Sequence, residues 1–380
     1  MKSKSLNIVF MGTPDFAVKS LEVLVNSKHN LVAVVTSEDK KAGRGKKIKS
    51  SEIKNFSIKN KLKIYQPSNL KDENFISEMK SLKPDVIIVV AFRMLPKILW
   101  KIPKLGTINL HASILPNLRG AAPIHWSIIN GLEETGVTTF FINEKIDCGK
   151  IIEQSKIKIE RNDNTGVLHN KLKIIGSKLL ISTLNLIQTK DFKTKNQDFS
   201  KDYLLAPKLT KSNTRINWNA NSETIHNKIR GLSPYPVAWC KIKKNDKILK
   251  IYKSKLTSKK PSETTIPGKI IFDKNFIYVT TNNYLIEILE LQIQGKRVMN
   301  NIEFSNAARQ TFPETYNANG YIDIIKTSTI INTGTLHGNN MLVFESPLCI
   351  EIDTVDDFKY LEYHIDKKDS SILNYYIKKK

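Results

Sequence analysis

Asp85-Val-Ile-Ile-Val-Val-Ala91 decides the fold. Five consecutive aliphatic residues without alternation describe a short strand buried on both faces, the pattern of a parallel sheet covered by helices. Downstream, Gly106-Thr-Ile-Asn-Leu110 reads as a second strand, and it ends where polar residues begin. Between residues 6 and 190 such apolar runs alternate with amphipathic stretches, among them Phe75-Ile-Ser-Glu-Met-Lys-Ser-Leu82. That alternation predicts a βαβ series and an α/β class. A helix is expected after Arg119-Gly-Ala-Ala-Pro-Ile124, running through His125-Trp-Ser-Ile-Ile129.

The chemistry is expected where the second strand ends, because open α/β sheets bind ligands at the carboxyl ends of their strands. Asn109 and His111 are two residues apart, so a continuing strand points both side chains to one face. Asp147 follows in Glu-Lys-Ile-Asp-Cys-Gly149. An amide, an imidazole and a carboxylate suit acyl transfer to an amine: the amide donates to a developing oxyanion, the imidazole moves a proton, and the carboxylate orients the ring. A lone Asn-x-His is equally the signature of a loop amide and a satisfied histidine. His125 is read as helix packing, and His29, His169, His226, His337 and His364 lack a carboxylate constellation.

The block Asn109-Leu-His-Ala-Ser-Ile-Leu-Pro-Asn-Leu-Arg-Gly-Ala-Ala-Pro-Ile124 closely resembles the signature of the folate-dependent formyltransferases. Ile8-Val-Phe-Met-Gly-Thr-Pro-Asp-Phe16, Ala42-Gly-Arg-Gly-Lys-Lys47, Glu134-Thr-Gly-Val-Thr138, Ala206-Pro-Lys-Leu-Thr210 and Ile229-Arg-Gly-Leu-Ser-Pro-Tyr-Pro236 are similar to further family motifs, in order, over residues 5 to 305. Within the family the set resembles the branch that formylates initiator methionyl-tRNA. The resemblance implies 10-formyltetrahydrofolate as donor, no metal, and Asn109, His111 and Asp147 as the catalytic group. It also implies that Ser113, Ile114, Leu115 and Pro116 line the folate site, and that the loop bearing Arg44, Lys46 and Lys47 meets the tRNA. The implied architecture is a Rossmann-like catalytic domain over 1–190, a linker over 191–205 and an OB-like β-barrel domain over 206–305. The alternatives are a formyltransferase acting on a small amine, such as glycinamide ribonucleotide or an amino sugar nucleotide, and a non-catalytic RNA-binding homologue.

Composition bounds these readings independently. A chain of 380 residues accommodates two or three domains. No apolar run approaches the roughly 20 residues that span a bilayer, and the start leads into a strand rather than a signal sequence. Cys148, Cys240 and Cys349 are odd in number and far apart, which argues against a disulfide framework or a zinc site. A reducing cytoplasm and a monomer are the expectations, with Cys148 a filler residue.

Lysine and arginine exceed aspartate and glutamate by 60 to 36, a net charge of +24. The stretch from Thr315 onward has nine acidic and seven basic residues, so the excess lies before it. Such a field attracts a polyanion through phosphate contacts. Its densest cluster is Lys40-Lys-Ala-Gly-Arg-Gly-Lys-Lys-Ile-Lys49, with six cations in ten residues and neither a Walker nor a dinucleotide-binding spacing. Residues 206–305 read as one helix, Ser222 to Ile229, and short strands at Val237-Ala-Trp-Cys-Lys-Ile242, Ile248–Tyr252, Gly268–Phe272, Ile277–Thr280 and Leu285–Leu289. Residues 306–380 continue past the formyltransferase pattern. This extension resembles the C-terminal end of acylneuraminate-type cytidylyltransferases and is read as an appendage without a working nucleotide site.

Overall fold

The computed structural model describes residues 5–42, 47–189, 192–243, 246–262, 265–273 and 276–309. The expectations for Arg44, Lys46 and the extension from residue 310 lie outside the described residues, and for Lys47 only the backbone is described.

In chain order the first part contains β1 (Asn7–Gly12), α1 (Val18–Val25), β2 (Asn30–Val35), β3 (Lys40–Ala42), β4 (Lys47–Lys49), α2 (Glu52–Lys59) and β5 (Ile64–Tyr65). Then come α3 (Glu73–Ser81), β6 (Val86–Val90), α4 (Lys97–Trp100), β7 (Thr107–His111), β8 (Arg119–Gly120) and α5 (Pro123–Ile129). The long hairpin β9 (Glu134–Phe141) and β10 (Ile151–Lys158) precedes α6 (Thr165–Leu186).

Seven strands form one sheet in the order β10-β9-β7-β6-β1-β2-β5. From β5 to β7 all neighbours are parallel, as the buried apolar runs require. The sheet then departs from a purely parallel design: β9 runs antiparallel to β7, and β10 antiparallel to β9. Both faces are covered. Ile8, Phe10, Ile88, Val90, Ile108 and Leu110 belong to the core shared with α1 and α6, whereas Val9, Met11, Ile87 and Val89 belong to the core shared with α3 and α4. Alternate residues of each strand therefore enter different cores, which is why every position had to be apolar.

Short polar side chains set the helix starts. Ser51, Asp72 and Asn164 accept from Lys54 N, Phe75 N and Val167 N, at 3.0, 2.9 and 2.9 Å. Each satisfies an amide that the first helical turn leaves unpaired. In α6, Leu168, Leu172, Gly176, Leu180 and Leu184 recur every four residues and are buried, so the helix lies along the sheet.

After a connector with no helix among its described residues, the second part contains β11 (Leu205–Ala206), α7 (Ser222–Leu232), β12 (Ala238–Lys241), β13 (Ile248–Leu256), β14 (Ile270–Asp273), β15 (Phe276–Thr280), β16 (Leu285–Ile293), β17 (Met299–Asn300) and α8 (Asn301–Arg309). Its sheet is antiparallel, in the order β12-β13-β16-β15-β14, with β17 on β16. Leu249 and Ile251 face a core with Ile225, Ile229 and Leu232 of α7, while Lys253 and Lys255 are exposed. Packing of α5 against α7 joins the two parts, reinforced by Trp126 Nε1 donating to Pro207 O at 2.8 Å and Thr165 Oγ1 to Gly231 O at 2.6 Å.

Candidate active site

A cavity of about 880 Å³ opens at the carboxyl ends of β1, β6 and β7. Its wall is largely apolar: Phe16, Phe92, Leu95, Trp100, Phe140 and Ile142 line it, with Met94 at 71% exposure. Asn109, His111 and Asp147 all line it too. Asn109 pairs with Val89 across the parallel ladder, and His111 lies two residues on, past the last pair at Leu110. The two-residue spacing thus places both side chains on the cavity face. The Asn109 amide has no hydrogen-bond partner among the described residues and remains available to a ligand.

His111 is 7% exposed and held from both sides. Its Nε2 lies 3.0 Å from Leu118 O, and its Nδ1 lies 3.9 Å from Asp147 Oδ2. The second distance is within ion-pair reach and longer than a hydrogen bond. A ring carrying protons on both nitrogens faces a carbonyl on one side and a carboxylate on the other, so a proton taken up during a reaction finds acceptors already in place.

Asp147 reaches His111 by an indirect route. The antiparallel register puts Phe141, the end of β9, opposite Ile108, near the start of β7. The following loop folds back along the cavity, and Asp147 sits in it with φ of 51°, a left-handed conformation that costs energy for a residue with a Cβ. Its carboxylate accepts from Gly120 N at 3.0 Å. The loop can turn this tightly because residue 149 is glycine: a Cβ there would lie 1.6 Å from Phe141 O. Gly120 is equally constrained, with φ of 124° and a Cβ position 2.5 Å from Ala206 O.

Ser113, Ile114, Leu115 and Pro116 are placed differently from the catalytic trio. They do not line the cavity. Ser113 and Leu115 are buried, and Ile114 and Pro116 are half-buried. Ser113 Oγ donates to Asn117 O at 2.6 Å, Leu115 N donates to Thr138 Oγ1 at 3.1 Å, and Gln154 Nε2 donates to Leu115 O at 2.9 Å. Their visible work is to fix the turn between His111 and Gly120.

Three groups on or behind the wall were not assigned to the site from the sequence: His125 was read as helix packing, His169 as lacking a carboxylate constellation, and Gln197 was not singled out. His125 Nε2 lies 3.2 Å from Tyr235 O, and His169 stacks edge-on to Phe16 at 5.3 Å; both line the cavity, and burial holds both rings below the usual histidine range. Gln197, in the connector, donates to Asp147 O at 2.8 Å and Gly149 O at 2.9 Å. No local signal could have found Gln197, since its acceptors are some fifty residues away. Arg93 also lines the cavity, but its guanidinium donates to Ser68 O at 2.8 Å and to Pro67 O. Cys148 is half-buried; its thiol contacts Ile146 O and receives Arg119 Nη1 at 3.1 Å, while the Arg119 guanidinium lies 4.6 Å from the Phe199 ring centre.

Residues 6–184 match the formyl transferase family, and residues 208–309 match the formyl transferase C-terminal domain. The chain is 48% identical to the methionyl-tRNA formyltransferase of Flavobacterium johnsoniae over 314 residues, 80% of this chain and 99% of that protein. It is 44% identical to the methionyl-tRNA formyltransferase of Bacteroides fragilis over 304 residues, 78% of this chain and 93% of that protein. The chain belongs to the methionyl-tRNA formyltransferase family. Solved structures share the fold at lower identity. The N-formyltransferase from Helicobacter canadensis, in complex with folinic acid and dTDP-3-aminofucose, superposes with a TM-score of 0.54 at 23% identity, covering 74% of this chain and 98% of that one. HypX from Aquifex aeolicus in complex with tetrahydrofolic acid gives 0.52 at 17% identity, covering 79% and 47%. Among the described residues no helix is long and apolar enough to cross a membrane.

Proposed function

We infer that this enzyme transfers the formyl group of 10-formyltetrahydrofolate to the α-amine of methionine esterified to initiator tRNA. The observation that carries the reading is the gathering of Asn109, His111 and Asp147 on a largely apolar cavity, in a chain spanning nearly the full length of its methionyl-tRNA formyltransferase relatives. The cavity fits a folate-sized donor: its volume of about 880 Å³ and its largely apolar, aromatic lining suit a ring system, with the Asn109, His111 and Asp147 side chains available for polar contacts. A relative of the same fold is known with tetrahydrofolic acid bound.

In this reading the amine attacks the formyl carbon, and negative charge develops on the formyl oxygen. The unpartnered Asn109 amide donates to that oxygen, an interaction worth roughly 2.7–4 kcal/mol in comparable sites. His111 receives the proton released by the amine and passes it towards the departing folate nitrogen. Asp147 and the Leu118 carbonyl hold the ring in place during both transfers. Burial lowers the pKa of both His125 and His169, which favours their neutral forms beside the donor.

The acceptor is held by charge. Lys40 and Lys49 are directly paired across β3–β4, which places two cations side by side, with Lys49 Nζ also 3.9 Å from Glu52 Oε1. Lys211 and Arg215 are exposed and lie 5.7 and 5.8 Å from the Trp239 ring centre. Arg44, Lys46 and Lys47 are proposed to contact the tRNA as well. The enzyme is placed in the cytoplasm, with initiator methionyl-tRNA and the folate as its partners and a monomeric state.

The test is formyl transfer from 10-formyltetrahydrofolate to charged initiator tRNA, set beside an amino sugar nucleotide as acceptor. Transfer to the tRNA that weakens steeply with salt is expected. Transfer to the sugar nucleotide alone would overturn the acceptor while leaving the chemistry.

A further inference from the structure

The connector between the two parts of the molecule touches the active site at more places than a tether needs. Lys195 exchanges backbone hydrogen bonds with Ile151, the first residue of β10, at 2.8 and 2.9 Å. Gln197 bridges Asp147 O and Gly149 O. Phe199 lies against the Arg119 guanidinium. Leu204 O accepts from Leu118 N at 2.7 Å, and Leu204 N donates to Asn117 Oδ1 at 3.0 Å. Ala206 O accepts from Ala122 N at 3.2 Å, and β11 pairs with β8.

These contacts converge on one residue. His111 has two polar neighbours, Leu118 O and Asp147 Oδ2, and each sits in a loop tied to the connector. Leu118 is tied through Leu204, and Asp147 through Gln197. Both are left-handed, at φ of 59° and 51°, so neither loop rests in a conformation its own backbone prefers. Something outside must hold them, and the connector supplies the contacts.

Gln197 is the most specific of these groups. Its amide gives both N–H bonds to the Asp147 loop, on either side of Cys148, while its own Oε1 is buried without a partner. A buried, unpaired carbonyl is unfavourable. The side chain therefore keeps an orientation whose hydrogen bonds serve only the Asp147 loop. Beyond those bonds, the loop's internal hydrogen bonds among the described residues are Cys148 N to Lys145 O, Cys148 Sγ to Ile146 O, Phe141 N to Lys150 O and Lys145 N to Asn143 Oδ1; from outside, Gly120 N donates to Asp147, Arg119 to Cys148 and Lys97 to Glu144.

We propose that Gln197 is a positioning residue of the catalytic site, holding Asp147 against His111, and that the connector is a wall of the site rather than a passive link. The proposal rests on His111 and Asp147 acting as described under the proposed function. It has a consequence for the whole enzyme: the segment that leads into the basic second part also fixes the imidazole, so movement of that segment on engaging the acceptor is transmitted to the reacting group.

The experiment uses the full chain. Gln197→Met keeps the volume and removes both donors; Gln197→Glu keeps the shape and puts an acceptor against two carbonyls. Two variants are compared so that a folding failure of one does not decide the matter, and thermal unfolding identifies the folded ones. The expected result is a kcat lowered about 10- to 100-fold, the cost of a misplacement of about 1 Å, with KM for both substrates within about twofold of the parent. In an Asp147→Asn background the same substitutions should change kcat by less than about twofold, because the group they position has already been disabled. An unchanged kcat, a rise in KM alone, or an equal loss in both backgrounds would overturn the proposal. If Asp147→Asn by itself left kcat intact, the failure would lie in the reading of the catalytic group.

Discussion

The cavity edge of β7 and the basic surface of the second part solve opposite problems. At the first, three polar groups are held among apolar walls by strained loops, a glycine at each tight contact and hydrogen bonds from distant segments. At the second, Lys253 and Lys255 flank the buried Ser254 on β13, where the register shifts on either side of Lys253, and both stand in water. Acyl transfer needs fixed geometry, so the first region spends conformational strain. Phosphate binding, proposed for the basic residues of the second part, needs charge density more than fixed geometry. The difference predicts which kinetic constant each region controls.

The largest effect is expected at the imidazole. His111→Ala should lower kcat about 10²- to 10⁴-fold with little change in KM for tRNA, measured by formylation of charged initiator tRNA. A large rise in KM would place His111 with the binding surface instead. Asn109→Ala should follow at about 10²- to 10³-fold in kcat, again with KM for the donor preserved. Gly120→Ala probes the strain itself: a Cβ would meet Ala206 O at 2.5 Å in a left-handed backbone, so a loss of about 1–3 kcal/mol is expected in denaturant titration.

The remaining predictions sharpen the other side. His226, on α7, lies 3.0 Å from Ser254 Oγ; burial, with some help from Arg230, pushes its pKa down to about 4. The unfolded chain, with a histidine near 6.5, then binds more protons between pH 6.5 and 4. Its contribution is present above about pH 6.5 and is lost as pH falls towards 4. Because the ring is only partly exposed, the loss is about 1–2 kcal/mol. Substituting His226 with Asn should flatten the stability profile over that window in thermal unfolding at graded pH. The smallest effect belongs to Lys211→Ala: KM for tRNA should rise a few-fold, kcat should stay constant, and the log–log salt slope should fall by about one.

Legibility in the sequence follows the same division. The parallel strands were readable because burial on both faces forces unbroken apolar runs, as in Val86–Val90. Asn109 and His111 were readable because a strand's two-residue period fixes which side chains share a face. The five strands placed in the second part match its antiparallel sheet, since each is local and bounded by turn residues. What stayed hidden depends on long-range return of the chain. The reversal of β9 and β10 carries no periodicity of its own, and it determines how Asp147 comes back to His111. Gln197 lies in a polar stretch that resembles any surface linker until its acceptors are known. His125 and His169 sit on helices with ordinary spacing, and only the packing of α5 and α6 around the cavity brings them to its wall.

The central claim is that geometry and charge are divided between the two regions, and one experiment crosses them. Steady-state formyl transfer to initiator methionyl-tRNA is measured for the parent, His111→Ala and Lys211→Ala at low and high salt. The account predicts that salt and Lys211→Ala raise KM for tRNA and leave kcat unchanged, while His111→Ala lowers kcat and leaves the salt dependence of KM intact. A His111→Ala enzyme with near-parental kcat, or a salt effect confined to kcat, would contradict it.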